Sequence, residues 1–550
     1  MMTAFPHTLL RGAAILALVS GALFTLLASP SQAQAFQEKH PLLMIVVSFE
    51  GDDGGMPQPY SSSYDWNASL FADTGSLSAY YREMSDSRLV FQPAHETSAF
   101  DQAGNVNAAD RVDDGIVHVT LPQGYHAWGL VNSDQAVAQD FADMVLDAFS
   151  AAGAFVDYAA YDANHDNRIE PEELVVAICV PGYDASALSE PNRTDIPVMW
   201  PHQGFISKEG VSSGSANAMS LDSYIAITEN LLEEEDGTST VQQEPLGVVY
   251  HEIGHYLGLP DLYALNANPE TGAWGAYNVG ALSLMSLGAW SITLDDQNGW
   301  QYSPTALDAW SRFALGWSEP ALVTSSGDYR VSSQNSEQGY SCLKIPTAEA
   351  GQYYLIENRQ PSGVDAALSE SYEECPEGGL VVWHIDEAVC ERYGEENHVN
   401  DTDHRPGVMP LCFEFDDSEA CFTSWDASKP DLRFPFFSSS TVERFTGSSS
   451  TEISLPVYAS DPESDSPGNR TESNITLQFP DASADVMTVR VNLPDQLQAT
   501  LNASAETASD DQGSRSAATA IPAPRPEALI IIGIAIVVVG FAASALLPRR

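Results

Sequence analysis

The stretch PLGVVYHEIGHYLGLPDLY, residues 245–263, decides how the chain is read. Leu246, Val249, Ile253 and Leu257 recur at helical spacing, and Pro245 can open the helix because a first-turn N–H has no intrahelical partner to lose. His251 and His255 are four apart, so both imidazoles leave one face and can bind a single Zn²⁺. Glu252, beside the first ligand, can reach a water on that metal as general base. Gly258 permits a sharp turn with positive φ, after which Asp261 returns toward the metal as a third ligand. Three protein ligands leave one position open, which separates a catalytic zinc from a closed structural one. Bare HExxH patterns recur by chance; the extended HExxHxxGxxD form in an amphipathic helix is far more selective.

Outward from this helix the chain changes character. Pro41 to Phe49 (PLLMIVVSF) and Leu174 to Val180 are continuous apolar runs of strand length, the pattern of strands buried on both faces. Val137 to Ala152 carries apolar residues at helical spacing, so the first half reads as α/β. After about residue 320 short strands predominate: Tyr353 to Glu357, Leu380 to Ile385, and a hairpin of Ile475 to Phe479 with Met487 to Asn492. The reading is therefore a catalytic unit over 36–320, a β-rich part over 321–495 and a flexible Ala/Ser/Asp/Pro-rich stalk over 496–527.

A second metal candidate lies at 162–173. Asp162, Asn164, Asp166, Glu170 and Glu173 occupy positions 1, 3, 5, 9 and 12 of an EF-hand-type loop, with the Arg168 carbonyl at position 7. Hard oxygens at this spacing can wrap a structural Ca²⁺; Asn167, at the usual glycine position, tolerates the left-handed backbone. His202 and His384 sit among apolar neighbours and read as hydrogen-bonded core histidines, and Glu233 to Asp236 as a solvated loop. Placed close before the metal helix in sequence, that acidic run could favour basic substrates.

Both ends carry export signals. Arg11, the apolar run Gly12 to Ala28 and Ala33-Gln34-Ala35 form a signal peptide over 1–35. Ala528 to Leu547 is an uncharged segment closed by Pro548-Arg549-Arg550, read as a single transmembrane helix with the body outside the cytoplasm. With Arg525-Pro526-Glu527 before it, this end also looks like a PEP-type sorting tail. The expected product is exported and tethered at the cell surface, with the membrane as a partner. A net charge of −53 excludes nucleic acid, since a polyanion gains nothing by approaching another. Six cysteines without a CxxC argue against a thiolate-ligated zinc; an exported chain permits disulfides among them, and Cys179, in an apolar run, reads as a buried thiol.

HEIGHYLGLPDLY, then Met285 in GALSLMSLGAW and SPTALDAWSRFALGW (303–317), resembles the M6, immune-inhibitor-A-like metallopeptidases. LLMIVVSFEGD, SLSAYYREMS (76–85), YDANHDNRIEPEELVVAI (161–178), YYLIENRQ (353–360) and GGLVVWHIDE (378–387) extend the likeness over roughly 41–495. The resemblance implies a metzincin-type zincin fold, zinc on His251, His255 and Asp261, Glu252 as catalytic residue, Met285 in a Met-turn beneath the metal, and protein or peptide substrates. Two departures stand out. Where some metzincins carry a tyrosine two residues after that methionine, this chain has Leu287; Tyr277 and Tyr302 are near in sequence without an assignable role. The first strand also follows the signal so closely that no large propeptide fits between. Two rivals to a zinc endopeptidase are a non-cleaving surface binding or adhesion protein on the same scaffold and a serine hydrolase. An intact Glu252 counts against the first; the second rests on GVSSG (210–214) in a Ser/Gly-rich loop without a strand-to-helix setting.

Overall fold

The computed structural model describes residues 39–49, 64–98, 111–122, 135–188, 196–206, 219–235, 238–265, 278–295, 299–372, 375–401, 405–414, 420–421, 433–446, 452–458 and 470–511. The signal peptide (1–35), the apolar segment 528–547, Tyr277 and the GVSSG loop lie outside them.

The first half is built on strands β1 (Lys39–Phe49), β2 (Val90–Pro93), β3 (Ile116–Leu121), β4 (Arg168–Ile169), β5 (Val175–Asp184), β6 (Val198–Met199), β7 (His202–Phe205), β8 (Ser220–Leu221), β9 (Ser223–Glu235) and β10 (Thr238–Gln243). One sheet runs β10-β9-β5-β1-β2, with β3 also on β1, β6 on β5 and β7 on β9; β4 and β8 form a separate parallel pair. Its centre is parallel, in register Leu42↔Val175 and Ala177↔Ile225, and β10 closes an edge antiparallel to β9.

The apolar run of β1 is explained by burial on both faces. Leu43, Ile45 and Val47 point to one side, where they pack with Val145, Ala148 and Phe149 of the helix Gln135–Ala152. Leu42, Met44 and Val46 point to the other, into a core shared with Val249 and Ile253 of the helix Leu246–Tyr256 and with Tyr80 and Tyr81 of the helix Leu77–Met84. β5 alternates in the same way, Val176 and Ile178 against Ala177 and Cys179.

The second half is β-rich. A five-stranded sheet orders Ala321–Leu322, Cys342–Pro346, Gln352–Arg359, Gly379–Asp386 and Val408–Pro410; a four-stranded one orders Gly327–Ser332, Val486–Asn492, Arg470–Gln478 and Glu452–Tyr458. Leu355, Val382 and Trp383 belong to the same continuous core as Ile253 and Met285. The metal helix therefore rests on apolar side chains from both halves.

Several expectations change. No helix among the described residues is long and apolar enough to cross a membrane, so the single C-terminal transmembrane helix is withdrawn from the fold, and with it membrane tethering, the membrane as a partner and anchored localisation. Of the long helices, Gln135–Ala152 packs an apolar face on the sheet and exposes Asp143 and Asp147 on the other, while Asp495–Asp511 is acidic and Ser/Ala-rich in sequence. That second helix also replaces the beginning of the expected stalk: Leu497 and Leu501, one turn apart, dock on the main core and hold the turn. Glu233 to Glu235 end β9 rather than forming a loop, and Glu233 accepts from the Tyr302 hydroxyl at 2.9 Å. Cys179, Cys342 and Cys390 are buried thiols, and Cys412 and Cys421 face each other across antiparallel strands.

Candidate metal centre

The helix Leu246–Tyr256 has Pro245 at its N-cap, one place earlier than a first-turn proline, and Gly247 packs so closely on the Ala289 carbonyl that any β-carbon would collide. Its other end is a Schellman motif: Leu259 N–H donates to the Gly254 carbonyl at 3.0 Å and Gly258 N–H to that of His255 at 2.8 Å. Gly258 takes φ +95°, the positive value read from the sequence. This turn delivers the Leu259 carbonyl to His255 Nδ1, 2.8 Å away, and sends the chain back to Asp261.

His251 Nδ1 lies 2.9 Å from the Leu284 carbonyl. A carbonyl only accepts, so each Nδ1 carries a proton, and whenever a ring is neutral its lone pair lies on Nε2. The two Nε2 atoms face one oxygen, Asp261 Oδ1, at 3.0 Å from His251 and 3.3 Å from His255. The imidazole planes are perpendicular with centroids 4.7 Å apart. One ligand atom from each of the three residues lies within 4.8 Å of the others. Asp261 Oδ1 is buried with no hydrogen-bond partner among the described residues. The two Nε2 atoms and Asp261 Oδ1 converge on one point, and with neutral rings this donor set fits a divalent metal with mixed nitrogen and oxygen ligands.

The same convergence governs proton affinities. Burial alone would lower His255, yet the Asp261 carboxylate holds it up to about 9. Burial alone would raise Asp261, yet His255 and His251 keep it well below the usual carboxylate range. Glu252 is buried too, with Oε2 unpartnered among the described residues; burial raises its pKa, and the two histidines only partly offset that. A carboxylate with raised proton affinity beside a metal site is suited to accepting and returning a proton.

Met285 is fully buried against the helix, its Sδ where a β-carbon on Gly254 would fall, and its carbonyl accepts from Leu262 N–H at 2.8 Å. The loop carrying it is tied by Ser283 Oγ to Asp308 (2.6 Å) and by Arg359 Nη1 to the Leu282 carbonyl (2.7 Å). Leu287 opens a short 3₁₀ turn. Two residues near the centre had escaped the sequence reading. Tyr263 stacks on His251, centroids 6.5 Å apart, and burial followed by the negative charges of Asp261 and Glu252 raises its hydroxyl pKa. Asn397, from the β-rich half, hydrogen-bonds Asp261. Tyr263 could have been suspected from its place two residues after Asp261; Asn397, 136 residues away, left no local signal.

At 162–173 the acidic oxygens meet the loop's own amides. Asp162 accepts from Asp166 N–H (3.1 Å) and Asn167 N–H (3.0 Å), Asn164 Oδ1 from Asp166 N–H (2.9 Å), and Glu173 from Ala163 N–H (2.7 Å) and Glu170 N–H (3.2 Å). Asn164 Nδ2 donates to Glu170 at 3.0 Å, and Arg168 sends its side chain to Asp222. Asn167 adopts φ +65°, as anticipated. His202 bonds the Trp200 carbonyl (2.8 Å) and is partly buried, while His384 meets Gln352 (3.0 Å) in the core.

Residues 132–318 match the family model described as immune inhibitor A peptidase M6, catalytic domain. The search of curated proteins gives no match.

Proposed function

We propose, from the premise that residues 132–318 are an M6-family metallopeptidase catalytic domain, that this metal-dependent peptidase is a zinc endopeptidase acting on proteins. The observation that carries the reading is the convergence of His251 Nε2, His255 Nε2 and Asp261 Oδ1 on one point, with both histidine tautomers fixed by carbonyls. These three residues hold the metal, whose nitrogen and oxygen donors suit zinc. Bound there, zinc supplies Lewis acidity toward the scissile carbonyl and lowers the pKa of water. Glu252 takes the proton from the attacking water and passes it to the departing amine, a transfer that its raised proton affinity supports. Leu284 and Leu259 hold the imidazoles through their carbonyls, and Met285 fills the space under the helix. Asp162, Asn164, Asp166, Glu170, Glu173 and the Arg168 carbonyl would hold a structural calcium ion, a reading supported by the loop's own amides already gathering Asp162 and Glu173 into one turn.

The test is casein hydrolysis and zinc content of the full chain beside its Glu252→Gln variant, with calcium present. The expected result is about one zinc in each protein and a 10²–10⁴-fold loss of rate in the variant, the usual worth of a positioned acid–base group. Equal rates in the two proteins, or a folded parent without zinc, would sink the reading.

A further inference from the structure

We propose that Asn397 is the positioning residue of the metal centre: it clamps Asp261 so that one carboxylate oxygen, Oδ1, is presented to the cation. The inference rests on the reading of Asp261 as a metal ligand. Asp261 N–H donates to Asn397 Oδ1 at 2.5 Å, and Asn397 Nδ2 donates to Asp261 Oδ2 at 2.7 Å. A backbone N–H can only donate, so the orientation of the asparagine amide is fixed: oxygen toward the Asp261 amide, nitrogen toward its carboxylate. The pair of bonds holds backbone and side chain of the ligand together, leaving Oδ1 as the oxygen that faces both Nε2 atoms.

The clamp is itself built. Asn397 follows the helix Glu387–Tyr393 and takes φ +61°, a left-handed backbone that asparagine accepts more readily than most side chains. Asn397 N–H bonds the Gly394 carbonyl (3.1 Å) and His398 N–H that of Tyr393 (3.0 Å). Four residues on, Asp401 accepts from Leu265 N–H at 2.7 Å, a second tie to the same ligand loop. Asn397 lies beyond 132–318, so the β-rich half completes a centre whose ligands the catalytic region supplies.

Asparagine is the fitting choice because it both accepts and donates. Aspartate keeps the acceptor for the Asp261 amide but sets a second carboxylate against Oδ2. Glycine keeps the left-handed backbone and removes the clamp without strain. The experiment measures zinc affinity by competition with a chromogenic chelator, and thermal unfolding after zinc removal, for the full-length parent, Asn397→Gly, Asn397→Asp, Asp261→Ala and the double variant Asp261→Ala/Asn397→Gly. The expected result is a zinc affinity about 10–100-fold weaker in Asn397→Gly, the usual effect of losing a partner that orients a ligand, and weaker still in Asn397→Asp. On the Asp261→Ala background, the glycine substitution should change affinity less than about twofold, because the clamp has no ligand left to act on. A structural role would instead lower unfolding temperature and weaken zinc alike on both backgrounds. That pattern overturns the proposal, as does an Asn397→Gly protein that binds zinc like the parent while Asp261→Ala does not. If Asp261→Ala itself binds like the parent, the ligand reading fails and this inference with it. Should Asn397→Gly fail to fold, the near-isosteric Asn397→Asp carries the same comparison.

Discussion

Gly254 shows how closely the metal helix is fitted at single residues. Its missing β-carbon is the space that Met285 Sδ occupies, so Gly254→Ala forces the methionine aside and should cost about 1–3 kcal/mol, the usual penalty of overpacking. Met285→Ala alone opens a cavity and should cost roughly 2–5 kcal/mol. Their combination should be less destabilising than the two added together, since each relieves the other; urea unfolding of the three variants checks this, and strict additivity would contradict the contact. His40 offers a pH-dependent counterpart. It is buried on β1, 2.9 Å from the Pro171 carbonyl, and burial holds its pKa at about 4 against an ordinary 6.5, with the carbonyl only partly opposing. The unfolded chain therefore takes up the proton first. Stability is full above about pH 6.5 and declines toward pH 4, by on the order of 3 kcal/mol from this residue. His40→Gln, neutral at every pH, should show a shallower decline in unfolding midpoint; an identical pH dependence would remove the assignment. At this scale the ligands were legible, because His251, His255 and Asp261 lie within one short stretch whose spacing states its geometry. Asn397 and His40 were not, because their roles depend on partners that only folding brings near.

Elements were legible where periodicity was strong. β1 and β5 appear as continuous apolar runs because both of their faces are covered, and the metal helix because apolar residues recur along it at helical spacing. The helix Asp495–Asp511 escaped notice since only Leu497 and Leu501 mark it within an Ala/Ser-rich stretch, too few for a pattern. The Schellman turn after the metal helix gives a sharper test. Gly258→Ala places a β-carbon at φ +95°, and any relaxation swings the Leu259 carbonyl away from His255. The expected outcome is a loss of stability of about 1 kcal/mol with a clear fall in zinc affinity, measured by unfolding and chelator competition. The acidic loop at 162–173 makes its own prediction. Calcium at 100 times its dissociation constant should add about 2.7 kcal/mol to stability, and Asp162→Ala should abolish that gain. Unfolding curves with calcium and with a chelator, unchanged between parent and variant, would remove calcium from the account.

Across the whole molecule, the two halves share one apolar core and meet again at the metal centre. Arg359 of the C-terminal sheet is buried, bonded to Asp365 at 2.7 and 2.6 Å and to the Leu282 carbonyl, so it braces the loop that carries Met285. Asn397 and Asp401 brace the loop that carries Asp261. None of this dependence could be read from composition, which changes near residue 320 while the described apolar core runs across that point. A chain ending at residue 320 should consequently fail to hold zinc and unfold with low cooperativity, whereas a chain ending at 511 should do neither; circular dichroism and metal content separate the cases. The net charge of −53 was legible from the outset and predicts self-repulsion that salt screens, raising the unfolding temperature between low and physiological ionic strength. Anomalous diffraction from a crystal of the zinc-loaded protein, recorded on both sides of the zinc absorption edge, locates the ion that His251, His255 and Asp261 are proposed to hold. The expected result is one strong peak among His251 Nε2, His255 Nε2 and Asp261 Oδ1, about 2.0–2.2 Å from each. A peak bound elsewhere, with these three side chains left uncoordinated, would contradict it.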